Sequence, residues 1–560
     1  MRIKILFLPL IFFSSTFSVL ALEVVQTFPA RNNIGASLNT AIRIKFDSVI
    51  RSNTVNQNSF RILGQMSGKK EGIYYVLGND IIFQTNTPFE VGERVLVILT
   101  KSIKSFIGDS LPSGYQFEFY VKTLGGSANF YPSIQSPIFD YNVPYYIYGG
   151  DLDGDNNCDI ASMNEGVPYQ MAVFLNKNGK GIFGSPSNYP TGQEASNCWG
   201  ADLDYDGDID ILTTETGEEK VAILKNRGDG TFEPQVQHTT TPGKPHGTVA
   251  GDFDGDGDLD FAVCNLTSHI LTGVSSLQIF ENPGDGVFQT PPHSHIGEVN
   301  EPRSLFGGDL DNDGDFDLAV VNEGWGDISI FRNDGRGNFT TDTSRTFVGV
   351  RPWNIYGGDL DKDGDIDLVT VQRDGTLTVS FNNGSGYFSH SSKDVYTFNG
   401  SGIGVYVADL DGDNDLDLIS SNYIGATISV YINDGSANFT IRRDFNLTSA
   451  GSYAWAHDLD GDGDLDISVV DEIADHLYIF FNADSPCIAF SGDANADNQV
   501  LLSDIVYIVD HLFRGGQKPF PLCSGDADGD GRVRLSDVII LVNFLFKSSS
   551  PPIKSGVCCL

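Results

Sequence analysis

The chain has 560 residues, 40% of them hydrophobic and 11% aromatic, with 62 glycines and a formal charge of −39 from 74 acidic against 35 basic side chains. That length corresponds to several domains, and the glycine-rich profile suits β-structure with tight turns, excluding collagen, long helices and disorder. So large an acidic excess argues against nucleic acid and anionic membrane surfaces as partners.

Residues 1–21 have the layout of an export signal. Arg2 and Lys4 precede an apolar run from Ile5 to Phe13, and the segment ends Val19-Leu20-Ala21, consistent with a cut after Ala21. The run is too short for a membrane span, and no later segment reaches the roughly 20 apolar residues that a transmembrane helix needs. The expected location is secreted, extracellular or at the cell surface. Of seven cysteines, Cys487, Cys523, Cys558 and Cys559 lie near the C terminus, and the expected pairing joins Cys487 to Cys558 or Cys559.

Residues 22–124 contain apolar strands, several alternating: Ile42-Arg43-Ile44-Lys45-Phe46, Asp80-Ile81-Ile82-Phe83, Val95-Leu96-Val97-Ile98-Leu99 and Phe117-Glu118-Phe119. This pattern predicts a β-sandwich. With Gly92-Glu93 before a strand and Gly108 in a late turn, the layout resembles bacterial Ig-like domains, and the resemblance implies a spacer.

Residues 125–485 are built on an internal repeat. The string D-x-D-x-D-G-D-x-D starts at Asp202, Asp252, Asp309, Asp359 and Asp458, with altered copies at Asp151 and Asp409. Successive starts are 51, 50, 57, 50, 50 and 49 residues apart, and a turn of the form N-x-G-x-G-x-F follows, as at Asn226 to Phe232. About four short strands per copy predict a seven-bladed β-propeller, a mainly β fold, in preference to a stacked solenoid. The seventh copy stops at Asp484 without its last strand, while Gly126-Ser127-Ala128-Asn129-Phe130 repeats Gly435 to Phe439 of copy six. Residues 126 to about 139 are therefore expected to complete the last blade and close the ring.

Loop positions 1, 3, 5 and 9 supply carboxylates, with Gly or Asn at 6 for a left-handed turn. The candidate metal ligands are Asp151, Asp153, Asp155 and Asp159; Asp202, Asp204, Asp206 and Asp210; Asp252, Asp254, Asp256 and Asp260; Asp309, Asp311, Asp313 and Asp317; Asp359, Asp361, Asp363 and Asp367; Asp409, Asp411, Asp413 and Asp417; and Asp458, Asp460, Asp462 and Asp466. So many hard oxygens in a flexible loop suit Ca²⁺. Motif and spacing resemble the FG-GAP/VCBS repeats of integrin α-subunits and bacterial surface proteins. That resemblance implies Ca²⁺ loops on one face of a propeller and partners at the other. Counting back six residues from each loop gives Tyr145, Ser196, His246, Arg303, Trp353, Ile403 and Ser452 at the opposite channel mouth. Of these, Tyr145, His246, Arg303 and Trp353 are the candidate ligand-binding residues, for a glycan or a protein.

Residues 486–560 hold two 12-residue loops with ligand candidates Asp493, Asn495, Asp497 and Asp504, and Asp526, Asp528, Asp530 and Asp537. Each precedes a helix with an apolar face: Ile505, Ile508, Val509, Leu512 and Phe513, then Val538, Leu541, Val542, Leu545 and Phe546. This small all-α, EF-hand-like pair resembles type I dockerin. The resemblance implies a cohesin-bearing scaffold as partner, met through Leu502, Ser503, Leu535 and Ser536, although Leu in the first position of each pair departs from the usual Ser/Thr.

No G-x-S-x-G, H-E-x-x-H, C-x-x-C or phosphate-loop motif is found, and no catalytic residue is assigned. The sequence therefore points to a secreted calcium-binding surface or matrix protein for adhesion or assembly. The alternative is a carbohydrate-active lyase or hydrolase component of a cohesin–dockerin assembly in polysaccharide catabolism.

Overall fold

The computed structural model describes residues 21–135 and 143–482, apart from 241–242, 267–274, 285, 289–291, 297, 343–344, 392–393 and 399. Near the C terminus it describes residues 492, 494, 500–514, 519, 522–525, 527 and 533–547. The export-signal residues 1–20 and Cys487, Cys558 and Cys559 lie outside the described residues.

The N-terminal strands form two sheets packed face to face. One runs Val24–Phe28, Ile42–Phe46, Asp80–Thr85, Gly72–Leu77; the other runs Ile34–Ala36, Tyr115–Val121, Arg94–Leu99, Phe60–Gly64, Gly68–Lys69. The period-two pattern does its expected work in Ile42–Phe46, where Ile42, Ile44 and Phe46 are fully buried and Arg43 is exposed. These side chains meet Phe60, Ile62, Phe117 and Phe119 of the opposite sheet in one core.

Each repeat folds as an antiparallel sheet taken in chain order. The first runs Pro144–Gly150, Asp159–Asn164, Gln170–Phe174, Ser187–Pro190. Burial falls outward: every residue of the inner strand Pro352–Gly358 is buried, while Ser187–Pro190 is exposed or half-exposed. Glycines before the Asp loops permit the inner strands to approach closely; a Cβ on Gly357 would stand 2.6 Å from Cε1 of Phe306 on the neighbouring inner strand. Seven such sheets are present among the described residues. Their first strands pack in sequence, and Gly451–His457 of the seventh returns to Pro144–Gly150 of the first. The outer strand of the seventh sheet is Phe130–Gln135, paired antiparallel with His476–Asn482 from Phe130 opposite Asn482 to Gln135 opposite Leu477. The repeats thus form a closed, propeller-like ring, with its two ends joined as the sequence comparison of residues 126–130 predicts.

In the C-terminal module, helices Leu502–Arg514 and Leu535–Lys547 pack together through Ile505, Ile508, Val538 and Leu541. The predicted apolar faces are narrower than expected: Leu512 and Leu545 pack against the shared core, whereas the adjacent Phe513 and Phe546 are 66% and 65% exposed.

Candidate functional site

In every repeat the Asp loop joins the first strand to the second, so all seven loops lie on one face of the ring. In the third loop, Asp252 accepts the N–H groups of Gly255 (2.8 Å) and Gly257 (2.9 Å), and Asp256 accepts that of Asp258 (2.9 Å). The residue at position 6 is left-handed in all seven copies, from Asn156 (φ 64°) to Gly463 (φ 98°). Position 4 is left-handed as well, even where it is Tyr205 (φ 61°) or Lys362 (φ 64°). This second turn is not visible in the residue types.

The ninth position has a double role. Asp260 accepts the Phe253 and Asn282 N–H groups on its two oxygens (2.9 and 2.7 Å), and the aspartates at position 9 of the other loops do the same. Burial pushes Asp159, Asp210 and Asp367 up to about 8. The fold nonetheless gathers these carboxylates: Asp151, Asp153 and Asp159 present oxygens within 4.8 Å of one another, as do Asp252, Asp254 and Asp260, Asp309, Asp311 and Asp317, and Asp359, Asp361 and Asp367. In the second loop the trio is Asp202, Asp204 and Asp206. Buried oxygens of Asp202, Asp309, Asp311, Asp359, Asp411 and Asp460 have no hydrogen-bond partner. All-oxygen donors, several left unpaired in a buried cluster, fit a hard divalent cation of the Ca²⁺ type.

The asparagine that opens each N-x-G-x-G-x-F turn, or stands in its place, ties neighbouring sheets together. Asn226 Nδ2 donates to the Leu152 carbonyl in the preceding sheet's Asp loop (2.9 Å), and Asn282, Asn333, Asn382, Asn433 and Asn482 bond the preceding loop in the same way. Asn176 of the first sheet donates to Leu459 of the seventh (2.8 Å), which completes the cycle.

The N-terminal sandwich is not held away from the ring as a spacer. It sits on the loop face and bonds to every loop. Met66 O accepts the Asp151 N–H; the Tyr205 hydroxyl donates to Gln57 O; Arg61 pairs with Asp258 (2.6 Å); Arg31 pairs with Asp309 (2.8 Å). Asn32 donates to Gly364 O, Thr123 to Asp409 (2.8 Å), and the Leu124 N–H to Gly463 O. A spacer pattern of alternating strands carries no signal for this docking, because the contacts come from scattered loop residues.

At the opposite mouth the structure brings His246, Arg303 and Trp353 together, while Tyr145 packs against Tyr453 with ring centres 5.6 Å apart. Tyr145, His246 and Trp353 are buried. Burial lowers the His246 pKa to about 3, and its Nδ1–H donates to the Arg303 carbonyl (2.9 Å), so its ring is a neutral packing element against Trp353. Arg303 and Arg373 both stack over Trp353, with guanidinium carbons 4.2 and 4.4 Å from the ring centre.

A second ring surrounds the first. It consists of Glu165, Thr216, Leu266, Glu323, Arg373, Tyr423 and Glu472, which follow the second strand in six sheets and end it at Leu266. Except at Leu266, its N–H bonds the chain just before the inner strand, as Arg373 does to Arg351 O (3.1 Å). Glu323 accepts from Arg303 (2.5 Å) and Arg351 (2.7 Å); Glu472 accepts from Ser452 (3.0 Å) and Tyr423 (3.2 Å). Each member stands fourteen residues past its loop start, a count available in the sequence.

Of the C-terminal candidates, Asp493, Asn495, Asp497, Asp526, Asp528 and Asp530 lie outside the described residues. Asp504 and Asp537 are buried, and each accepts the N–H three residues earlier, from Leu501 and Arg534 (2.7 Å each), as a helix N-terminal cap. Leu502 and Leu535 are exposed at 56% and 52%.

Comparison with known proteins finds FG-GAP-like repeats at residues 151–213, 202–263, 270–320, 309–370 and 359–420, and a bacterial Ig-like domain at residues 19–121. No curated protein matches the chain. Among solved structures it is similar to BBS1N in complex with ARL6DN (12% identity, TM-score 0.45, covering 65% of this chain and 99% of that one). It is also similar to an Agrocybe aegerita lectin that recognises non-reducing terminal N-acetylglucosamine (18%, 0.41, 76% and 98%) and to the WD40 β-propeller domain of Doa1 (8%, 0.43, 64% and 98%).

Proposed function

We propose that this chain, with its FG-GAP-like repeats and bacterial Ig-like domain, is an exported Ca²⁺-binding recognition protein. Its seven-bladed propeller meets a glycan or protein ligand at the mouth opposite the Asp loops. The observation that carries this reading is the mouth itself: Arg303 and Arg373 stack on Trp353, and Arg351 joins Arg303 on Glu323, in a chain of net charge −39. Such a cluster is not needed to hold the sheets, which the asparagine ties already join. Ca²⁺ in the Asp loops would be held by the carboxylates at positions 1, 3 and 5, with position 9 shared between metal and backbone, and would neutralise the charge that the loops concentrate.

Retention on a panel of insoluble polysaccharides, with released reducing or unsaturated ends recorded, tests the reading. Replacing Arg303, Arg351 and Arg373 by Ala together with Glu323→Gln, which removes the buried carboxylate that the first two pair, is expected to abolish retention, with unchanged far-UV spectra showing that the variant folds. Retention equal to that of the unaltered chain would end the assignment of the mouth. Release of new ends would establish the enzymatic alternative.

The C-terminal module is proposed as the docking part. Leu502, Val506 and Phe513 are exposed on one helix, and Leu535, Ile539 and Phe546 occupy the same positions, 33 residues on, on the other. Two equivalent apolar stripes on paired helices suit a protein partner. Leu502→Glu or Leu535→Glu alone is expected to leave binding to a cohesin-bearing scaffold largely intact, and the double change to reduce it ~100-fold or more. Surface plasmon resonance on a cohesin panel reads this; equal binding by the double variant would remove the stripes from the interface.

A further inference from the structure

We infer that the mouth holds a subsite for a carboxylate-bearing sugar, a uronate residue of an acidic polysaccharide, with Arg373 as the group that grips the carboxylate. The inference rests on the mouth being the recognition surface.

The argument starts from how the three guanidinium groups are used. Arg303 and Arg351 share one carboxylate, Glu323. Arg373 has no carboxylate within ion-pair distance among the described residues; it stacks over Trp353 and lies 5.7 Å from the Tyr423 ring centre. Stacking uses the faces of a guanidinium and leaves its N–H edge available, and that planar edge matches the two oxygens of a carboxylate. Arg373 is half-buried, so its edge is reachable while its stem is fixed by packing.

The neighbouring acids discriminate between anions. Glu323 and Glu472 line the same mouth and offer acceptor oxygens, and Glu472 already accepts from the Tyr423 and Ser452 hydroxyls. A carboxylate flanked by hydroxyl donors can satisfy Arg373 and these acceptors together; a sugar acid carries that set, whereas an acidic peptide presents its carboxylates without neighbouring hydroxyls. Burial, with repulsion from Glu472, pushes Glu165 up to about 8, and burial holds Glu472 above its ordinary value against the pull of Ser452, Tyr423 and Arg373.

The test is calorimetric titration of the full Ca²⁺-loaded chain with short oligogalacturonates, with neutral gluco- and xylo-oligosaccharides, and with a poly-glutamate peptide. Oligogalacturonate binding that weakens about tenfold or more in Arg373→Ala, recovers partly in Arg373→Lys and weakens with added salt is the expected result. Unchanged far-UV spectra and melting temperature would show that the variants fold. Neutral oligosaccharides binding as tightly, with Arg373→Ala unaffected, would overturn the uronate subsite while leaving mouth recognition standing. Preference for poly-glutamate would also overturn it, in favour of an acidic protein ligand. No binding by any probe, together with no retention on the polysaccharide panel, would overturn both readings.

Discussion

Removing Ca²⁺ from the full chain is expected to lower its melting temperature by about 10 °C or more and to open the N-terminal sandwich to protease. Each saturated site stabilises the fold by about 2–4 kcal/mol at ligand concentrations of 100 to 1,000 times Kd, and several loops act at once. The loops also hold the sandwich. Its bonds run to Gly314, Gly364 and Gly463 carbonyls and to the Asp151 N–H, all parts of loop backbone whose shape the position 1 carboxylates organise. Without metal, repulsion among those carboxylates pulls the loop backbone away from the geometry the sandwich meets.

The loops are not equivalent in this respect. Arg31 on Asp309 and Arg332 on Asp311 place two guanidinium groups on the fourth loop, and Lys225 sits on Asp204 of the second. Protein cations already offset part of the charge there, and Arg61 on Asp258 and Lys362 on Asp415 do the same for the third and sixth, so chelation should disturb the first, fifth and seventh loops most. The pH dependence has a definite sign. In the metal-free chain Asp159, Asp210, Asp252 and Asp367 are raised from 3.8 to about 8 by burial. The folded state then binds more protons than the unfolded state between those values, so these groups make stability fall as pH rises from about 4 to 8. Calorimetry of dialysed and Ca²⁺-loaded protein at acid, neutral and alkaline pH checks both points. A melting temperature indifferent to chelator at pH 8 would show that the loops do not depend on metal.

The repeat carried most of the architecture openly. Seven Asp loops at near-constant spacing, the residues that follow them and the displaced copy of a turn at Gly126 to Phe130 are local patterns, and local patterns fix sheets, order and ring closure. The mouth was half legible. Counting back from the loops found Arg303 and Trp353, but it also selected His246, whose ring is spent on packing against Trp353. The partners Glu323, Arg373 and Glu472 share a fixed offset from the loops and differ in residue type, so no motif marks them. Docking of the sandwich was not legible at all. Arg31, Asn32, Arg61 and Thr123 are isolated polar residues whose partners lie hundreds of positions away, as with Thr123 and Asp409. Exposure of Phe513 and Phe546 was hidden for a related reason: helical periodicity defines a broad apolar face but not which of its edges the neighbouring helix covers, and these two share a stripe with exposed Leu502 and Val506, and Leu535 and Ile539.

The asparagine ties give the second large expectation, at the seam where the chain's two ends of the ring meet. Asn482 Nδ2 donates to Leu410 O (2.8 Å) in the sixth sheet's loop and to Leu465 O (3.2 Å) in its own, and its Oδ1 accepts the Ser127 N–H (3.1 Å) that leads into the closing strand Phe130–Gln135. Asn482→Ala leaves two buried carbonyls and one N–H without this partner. At about 1–3 kcal/mol for each of the two buried carbonyls, with the half-buried Ser127 N–H adding less, the loss should reach roughly 2–6 kcal/mol, large against the stability of any domain. Asn282→Ala breaks the equivalent tie between the second and third sheets (2.8 Å to Leu203 O), where the chain itself still connects the neighbours. Asn282 also donates to Leu259 O (3.1 Å) and accepts the Gly284 and Gly286 N–H groups, so its overall cost should be comparable, but its effect on the seam nil. Asn482→Asp is the sharper test, because it keeps the shape, removes the donor and sets a carboxylate against two carbonyl oxygens; it should destabilise at least as much as Ala. Urea unfolding followed by limited proteolysis separates the cases: both Asn482 variants should be cut near residues 126–135 well before global unfolding, and Asn282→Ala should not. Equal protection of that segment in all the variants would mean that strand pairing with His476–Asn482 alone closes the ring.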